Sequence, residues 1–364
     1  MKWSFQLARI AGIDLRVHAT FFLLLAWVGF GYYAADGFGA MVGGLAFILL
    51  LFACVVLHEF GHALAARAYG IRTPDITLLP IGGVARLERM PDNPWQELVV
   101  ALAGPAGNVV IALGLFIVMG RFLGFDDLES VGEGRAELLA SLFMVNVMLV
   151  VFNLVPAFPM DGGRVLRALL ATRLKHARAT RIAAGIGQAV ALVFAVLGVA
   201  MGHPILLLIA VFVFFGARQE AEAATLKEAA DETPVARIMQ PMPPALRRGM
   251  TAIEAAGIAM RDARAAYPLV DADLRLAGMV AAADLAWALE SDPAMPVDRI
   301  ANAGADRLAA GDSVAHALAV ARGSAWPFLP VVNAAGQLVG TVARDDLAAF
   351  AQPAAAGPAP RASE

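Results

Sequence analysis

The succession of apolar and polar positions divides the chain into two regions. Between residues 17 and 217, charge-poor apolar runs follow one another near His18–Tyr33, Ala40–Tyr69, Trp95–Gly120, Leu138–Val155, Ile182–Met201 and Pro204–Gly216. Against the roughly 20 residues that cross a bilayer, each is a candidate span, the last being short. From 218 to 350 the runs give way to an Ala-rich stretch with charges spread throughout, the pattern of a soluble module, joined near Arg218 to Pro234. The pattern predicts a polytopic α-helical membrane protein of about six transmembrane helices with a C-terminal α/β module.

Charged residues orient the spans. Lys2, Arg9 and Arg16 precede the first, and Arg164, Arg167, Arg173, Lys175, Arg178 and Arg181 follow the fourth, so both sets are expected in the cytoplasm. The loop Arg121–Glu137 carries Asp126, Asp127, Glu129, Glu133 and Glu137 and suits the opposite face. Six crossings put both termini and the soluble module in the cytoplasm, with the membrane expected to be the inner membrane of a prokaryote.

Composition agrees, with 59% hydrophobic and 16% charged residues, against about 45–50% and 25% in soluble domains. The net charge of −3 identifies no partner, and none is expected among nucleic acids. The single cysteine, Cys54, excludes an internal disulfide and a multi-cysteine zinc site. The start, MKWSFQLARIAGIDLR, is amphipathic and lacks the apolar core and cleavage site of a signal peptide. The tail from 351 to 364 has the composition of a disordered end.

Within the second span stands LHEFGHALAARA, with His58, Glu59 and His62 in an apolar run. Residues four apart share a helix face, so both imidazoles can grip one ion from one side. If the helix enters near Gly39, His58 lies roughly 28 Å along it, toward the cytoplasmic leaflet. Ionisable groups at that depth are costly unless paired or coordinated, which favours a metal over interfacial histidines and a snorkelling acid. Glu59 stands where a general base acting on water at zinc is usually found. A catalytic zinc needs a third protein ligand. Cys54 shares the histidines' helix face, but a row of three on one straight helix spreads over about 12 Å, so Cys54 is read as packing.

The better third ligand is Asp161, in FNLVPAFPMDGGRVLR. Pro156 and Pro159 must break the fourth span, and broken backbone at membrane depth is tolerated where it lines protein or water. The break comes about as far from the outer face as His58 does. The alternative is an ordinary cytoplasmic turn that caps a new helix at Arg164.

The pair HEFGH and NLVPAFPMDGG resembles the site-2 protease family of intramembrane zinc metalloproteases, whose signatures are HExxH and NxxPxxPxDG. LAGPAGN, Leu102 to Asn108, resembles the family's GPxxN segment, and LLPIGGVARLE, Leu78 to Glu88, its membrane-associated hairpin or loop. The resemblance covers nearly the whole chain, as a six-span form with a C-terminal module. It implies one Zn2+ per chain on His58, His62 and Asp161, Glu59 as catalytic base, and substrate or oxyanion roles for Asn153 and Asn108. It also implies a membrane-anchored protein substrate cut within or next to its span. Asn153 equally suits satisfying carbonyls freed by the proline break, and Asn108, after Gly104-Pro105, a structural role. Ile76–Leu87, with a turn at Gly82-Gly83, is strand-like and suits either presenting an edge to an extended substrate or filling space.

The module repeats itself. YPLVDADLRLAGMVAAADL (267–285) aligns with LPVVNAAGQLVGTVARDDL (329–347) at a constant offset of 62, which also pairs Val235 with Val297 and Ile238 with Ile300. Each unit resembles a CBS domain, and the tandem implies a possible homodimer and a possible adenosine nucleotide, with Asp284 and Asp346 toward a ribose. The family's hydroxyl positions hold Ala281 and Ala343, which puts phosphate contact in doubt. The expected domains are 1–217, a transmembrane zinc metalloprotease; 218–234, a linker; and 235–350, tandem CBS repeats at about 235–292 and 297–350. A CBS-gated membrane transporter or a metal-binding membrane protein is the alternative, against which Glu59 argues, since a transporter needs no base beside two metal ligands.

Overall fold

The structure, a computed structural model, describes residues 3–91, 93–122 and 133–350. Most of the acidic loop and the tail from 351 onward therefore lie outside the described residues. The chain separates into two compact units, Met1–Ala221 and Glu222–Glu364.

The amphipathic start of the chain forms strands. β1 (Ser4–Ile10) pairs antiparallel with β2 (Ile13–His18), which sends Ile13 and Val17 to the interior while Asp14 and Arg16 face away. β2 runs parallel to β3 (Asp75–Leu79), and β3 turns back antiparallel into β4 (Gly82–Arg86), giving the order β1-β2-β3-β4 with β4 at an edge.

α1 (Ala19–Ala68) is a 50-residue helix interrupted at Asp36 and Gly37, whose backbone is non-helical. Gly37 takes φ +78, a conformation that costs glycine little and lets the chain reverse. The Phe21 and Phe52 ring centroids then stand 4.6 Å apart, so the two arms lie against each other. α2 (Pro94–Phe122), α3 (Glu133–Asn153), α4 (Asp161–Ala171), α5 (His176–Ala200) and α6 (Pro204–Glu232) follow. Among the described residues, α1, α2, α5 and α6 are long and apolar enough to cross a membrane, and Glu137–Asn153 of α3 is a shorter apolar helix. α2 is central: it packs on α1, α3 and α4.

Through most of the expected linker at 218–234 the chain is helical: α6 runs unbroken past Gly216 to Glu232. Its latter half, RQEAEAATLKEAADE, is dominated by strong helix formers, so the helix outlasts its apolar part.

In the second unit the 62-residue repeat is visible element by element. β6 (Leu246–Arg247), α7 (Ala252–Ala259), β7 (Ala266–Val270), β8 (Leu276–Ala281) and α8 (Ala282–Ser291) form one copy; β5 (Gln240–Pro241) precedes them. β9 (Leu308–Ala309), α9 (Val314–Gly323), β10 (Phe328–Val332), β11 (Leu338–Ala343) and α10 (Arg344–Phe350) form the other. Leu276 N–H donates to Gly336 O at 3.0 Å and Leu338 N–H to Leu274 O at 2.9 Å, a reciprocal pair that relates the copies by pseudo-twofold symmetry. Each copy keeps its own apolar core, one around Tyr267 and Val280 and the other around Leu329 and Val342.

Candidate metal centre

Two segments distant in sequence meet inside the first unit. His58 and His62 sit one turn apart on the second arm of α1. After α3 the chain is irregular through Pro156 and Pro159, and α4 then starts with Asp161 in its first turn. All three side chains are buried. His58 Nε2 and His62 Nε2 are 3.1 Å apart, and each lies 3.1 Å from Asp161 Oδ2.

The hydrogen bonds behind the rings determine what this triangle presents. His62 Nδ1–H donates to the Val100 carbonyl oxygen at 2.7 Å. His58 Nδ1–H donates to Asn108 Oδ1 at 2.6 Å. Asn108 is held in that orientation because its Nδ2–H donates to Asn146 Oδ1 at 2.8 Å, while Asn146 Nδ2 donates to Leu142 O and to Cys54 Sγ. With both Nδ1 atoms protonated, both Nε2 atoms carry lone pairs and face a carboxylate oxygen. Three acceptors at 3.1 Å with no proton between them repel unless a cation joins them. Two imidazole nitrogens and one carboxylate oxygen are zinc donors, and bonds of about 2.0 Å place tetrahedral donors about 3.3 Å apart, close to the edges seen.

The helix α2 forms the floor. A Cβ on Gly104 would overlap His62 Nε2 and stand 2.8 Å from His58 Nε2, so only glycine lets this backbone lie against the imidazoles. Gly61 answers from α1, where a Cβ would come 2.5 Å from Ala103 O. Glu59 points to another side: a Cβ on Gly83 would stand 2.8 Å from Glu59 Cγ, which puts the edge strand β4 beside it. Arg164 Nη1 is 3.9 Å from Asp161 Oδ1, the oxygen turned away from the histidines.

The structure thus brings His58, His62 and Asp161 together, with Glu59 adjacent in chain. Asn108 is fully buried, and its carbonyl and amide are both committed to protein partners, which fits the structural role over contact with substrate. Asn153 is half-buried at the end of α3. Cys54 packs as expected, as an acceptor for Asn146 and outside the triangle. Asn146 is not among the sequence-predicted residues, although an amide inside the apolar run SLFMVNVMLVVF was its signal. Arg167, one of the charges expected on the cytoplasmic side, is buried in ion pairs with Glu97 and Glu220. In the second unit, Asp284 is exposed, and Asp346 accepts from Gln240 Nε2 at 2.9 Å.

Comparisons with known proteins bear on the family. The family description "Peptidase family M50" matches residues 46–135 and 127–197, and "CBS domain" matches residues 235–291. A zinc metalloprotease of Methanocaldococcus jannaschii is 36% identical over 272 residues, covering 74% of this chain and 76% of that protein. A Synechocystis protein that carries a zinc-metalloprotease name is 32% identical over 319 residues, 82% of each chain. The solved structure of a site-2 protease from Methanocaldococcus jannaschii shares 40% identity, covering 60% of this chain and 95% of that one, with a TM-score of 0.46. The chain belongs to peptidase family M50, the site-2 proteases, and is a membrane zinc metalloprotease with a C-terminal CBS fold.

Proposed function

We propose that the protein is an endopeptidase that hydrolyses a peptide bond within or next to a membrane-spanning segment of an anchored protein substrate, with His58, His62 and Asp161 holding one zinc ion. The observation that carries this reading is the triangle of three buried acceptors 3.1 Å apart among apolar helices. When bound there, zinc supplies Lewis acidity toward water and toward a carbonyl oxygen. Glu59 takes the proton of the attacking water and returns it to the amide nitrogen as the C–N bond breaks. Asn153 donates its amide N–H to the carbonyl oxygen on which charge develops. The edge of β4, beside Glu59, offers unpaired backbone groups to an extended chain, so the substrate helix unwinds locally before cleavage. Preferred substrates carry weakly helical spans near their cytoplasmic ends.

The break in α1 divides it into two crossings, which with α2, α3, α5 and α6 make six and return both termini and the CBS pair to the cytoplasm. The absent hydroxyls at positions 281 and 343, with Asp346 engaged by Gln240, favour dimerisation or substrate docking over nucleotide sensing for that pair.

Expression of the native protein and of Glu59→Gln in the source cell tests the reading. Membrane-anchored proteins that accumulate full-length or pre-trimmed only with Glu59→Gln are the expected result. Identical membrane proteomes, together with purified protein that contains no zinc, would refute it.

A further inference from the structure

The first unit buries a second charged cluster that this hydrolysis leaves unused. Arg167, on α4, is 5% exposed, and Glu97, in the first turn of α2, is 1% exposed. The Arg167 Nε–H and an Nη2–H both donate to Glu97 Oε1 at 2.7 Å, and an Nη1–H donates to Glu220 Oε2 on α6 at 3.2 Å. The guanidinium carbon lies 5.1 Å over the Phe158 ring, in the irregular segment that leads into α4. One cation therefore ties α2, α4 and α6 at a single point. Burial of an arginine among apolar helices is costly, and replacement of such groups by packed apolar residues is often no worse for stability, so fold stability alone is a weak reason for the cluster.

Its place in the fold supplies a better reason. Asp161 lies six residues before Arg167 on the same helix, about 9 Å along the axis. Glu97 lies on the helix whose Gly104 backs the two imidazoles. The Arg167–Glu97 pair thus locks the helix bearing the carboxylate to the helix flooring the histidines. Met160 provides no side-chain cap at the start of α4, so Asp161 depends on the placement of the whole helix. Glu220 is the more exposed partner and stands on α6, which continues to Glu232.

We propose that Arg167 is a positioning residue for Asp161, and that its bond to Glu220 makes the geometry at the three ligands depend on the placement of α6. This rests on the reading of His58, His62 and Asp161 as zinc ligands.

The test uses the full chain in detergent, stripped of metal and then titrated with zinc against a chromophoric chelator, or loaded with cobalt(II) for its visible spectrum. Glu220→Gln and Arg167→Lys are each expected to bind zinc about tenfold or more weakly than wild type and to shift the cobalt bands. The metal-free melting temperature of Glu220→Gln should match wild type. Should Arg167→Lys fail to fold, Glu220→Gln decides alone. Wild-type affinity and an unchanged cobalt spectrum overturn the proposal, and so does a lowered melting temperature with unchanged affinity, which reduces the cluster to a brace of the fold. A wild-type protein that takes up neither metal overturns the ligand reading itself, and that result is visible in the wild-type arm.

Discussion

Replacement of Asn146 by leucine tests how far the metal centre extends behind its ligands. Asn146 touches none of the three acceptors, yet its Oδ1 receives the Asn108 amide at 2.8 Å, and Asn108 Oδ1 receives the His58 Nδ1–H at 2.6 Å. Both amides are wholly buried, so water does not replace a lost partner. Leucine keeps the branched skeleton of asparagine, with bulkier ends, and removes the acceptor, leaving an Asn108 N–H unmet at a cost of about 1–3 kcal/mol. Rotation of the Asn108 amide relieves little, because its NH2 then faces the Nδ1–H of His58, donor against donor. His58 escapes by moving its proton to Nε2, the atom that faces Asp161. If the whole cost falls on the metal-competent arrangement, zinc affinity drops about 5- to 150-fold. Chelator competition on the purified full-length variant measures this, with circular dichroism to confirm retained helix. An affinity within about twofold of wild type, with the fold intact, would show that the relay from α3 to His58 carries no energy.

Gly104→Ala drives a methyl group into the His62 and His58 Nε2 atoms, and overpacking of about 1–3 kcal/mol should displace a ring. Metal analysis should find less than one zinc per chain with helix content preserved, and full occupancy contradicts the close approach of α2. In the second unit, Asp298 accepts from Gly249 N–H and Arg248 Nε–H at 2.7 Å each, which holds its carboxyl below the usual range. That stabilisation is complete above the unfolded pKa of about 3.9 and is lost as pH falls through the lower folded value. Thermal melts of the second unit's transition should therefore fall less steeply below about pH 4 in Asp298→Asn than in wild type, and equal slopes refute the pairing. Calorimetric titration with AMP, ADP and ATP should release no binding heat, and saturable binding by any of them would restore a sensing role to the CBS pair.

What the sequence disclosed, and what it hid, follows from the reach of each signal. The His58–His62 spacing is local and periodic, and the Pro156–Pro159 break pointed to Asp161 because proline acts on its own backbone. The tandem repeat was equally plain, since a constant offset of 62 needs no tertiary information. Asn146 and Arg167 were hidden because their partners come from other helices: Asn146 meets Asn108 of α2, and Arg167 meets Glu97 and Glu220. An arginine that follows a span reads as an orienting charge until a buried carboxylate is known to face it. The β2 strand has Ile13, Leu15 and Val17 in strict alternation with polar residues, a legible signal of a strand within the amphipathic start. The continuation of α6 to Glu232 lies beyond its apolar part, where hydrophobicity carries no signal and only helix propensity does.

The 103 positions that separate His58 from Asp161 bear on how such an enzyme is made safely. A ribosome adding about 5–20 residues per second releases the histidine pair roughly 5–20 s before the carboxylate. Throughout that interval the nascent chain carries only part of the proposed ligand set. If zinc needs all three proposed ligands, hydrolysis waits for α4 to dock, and completion of folding itself acts as the safety catch.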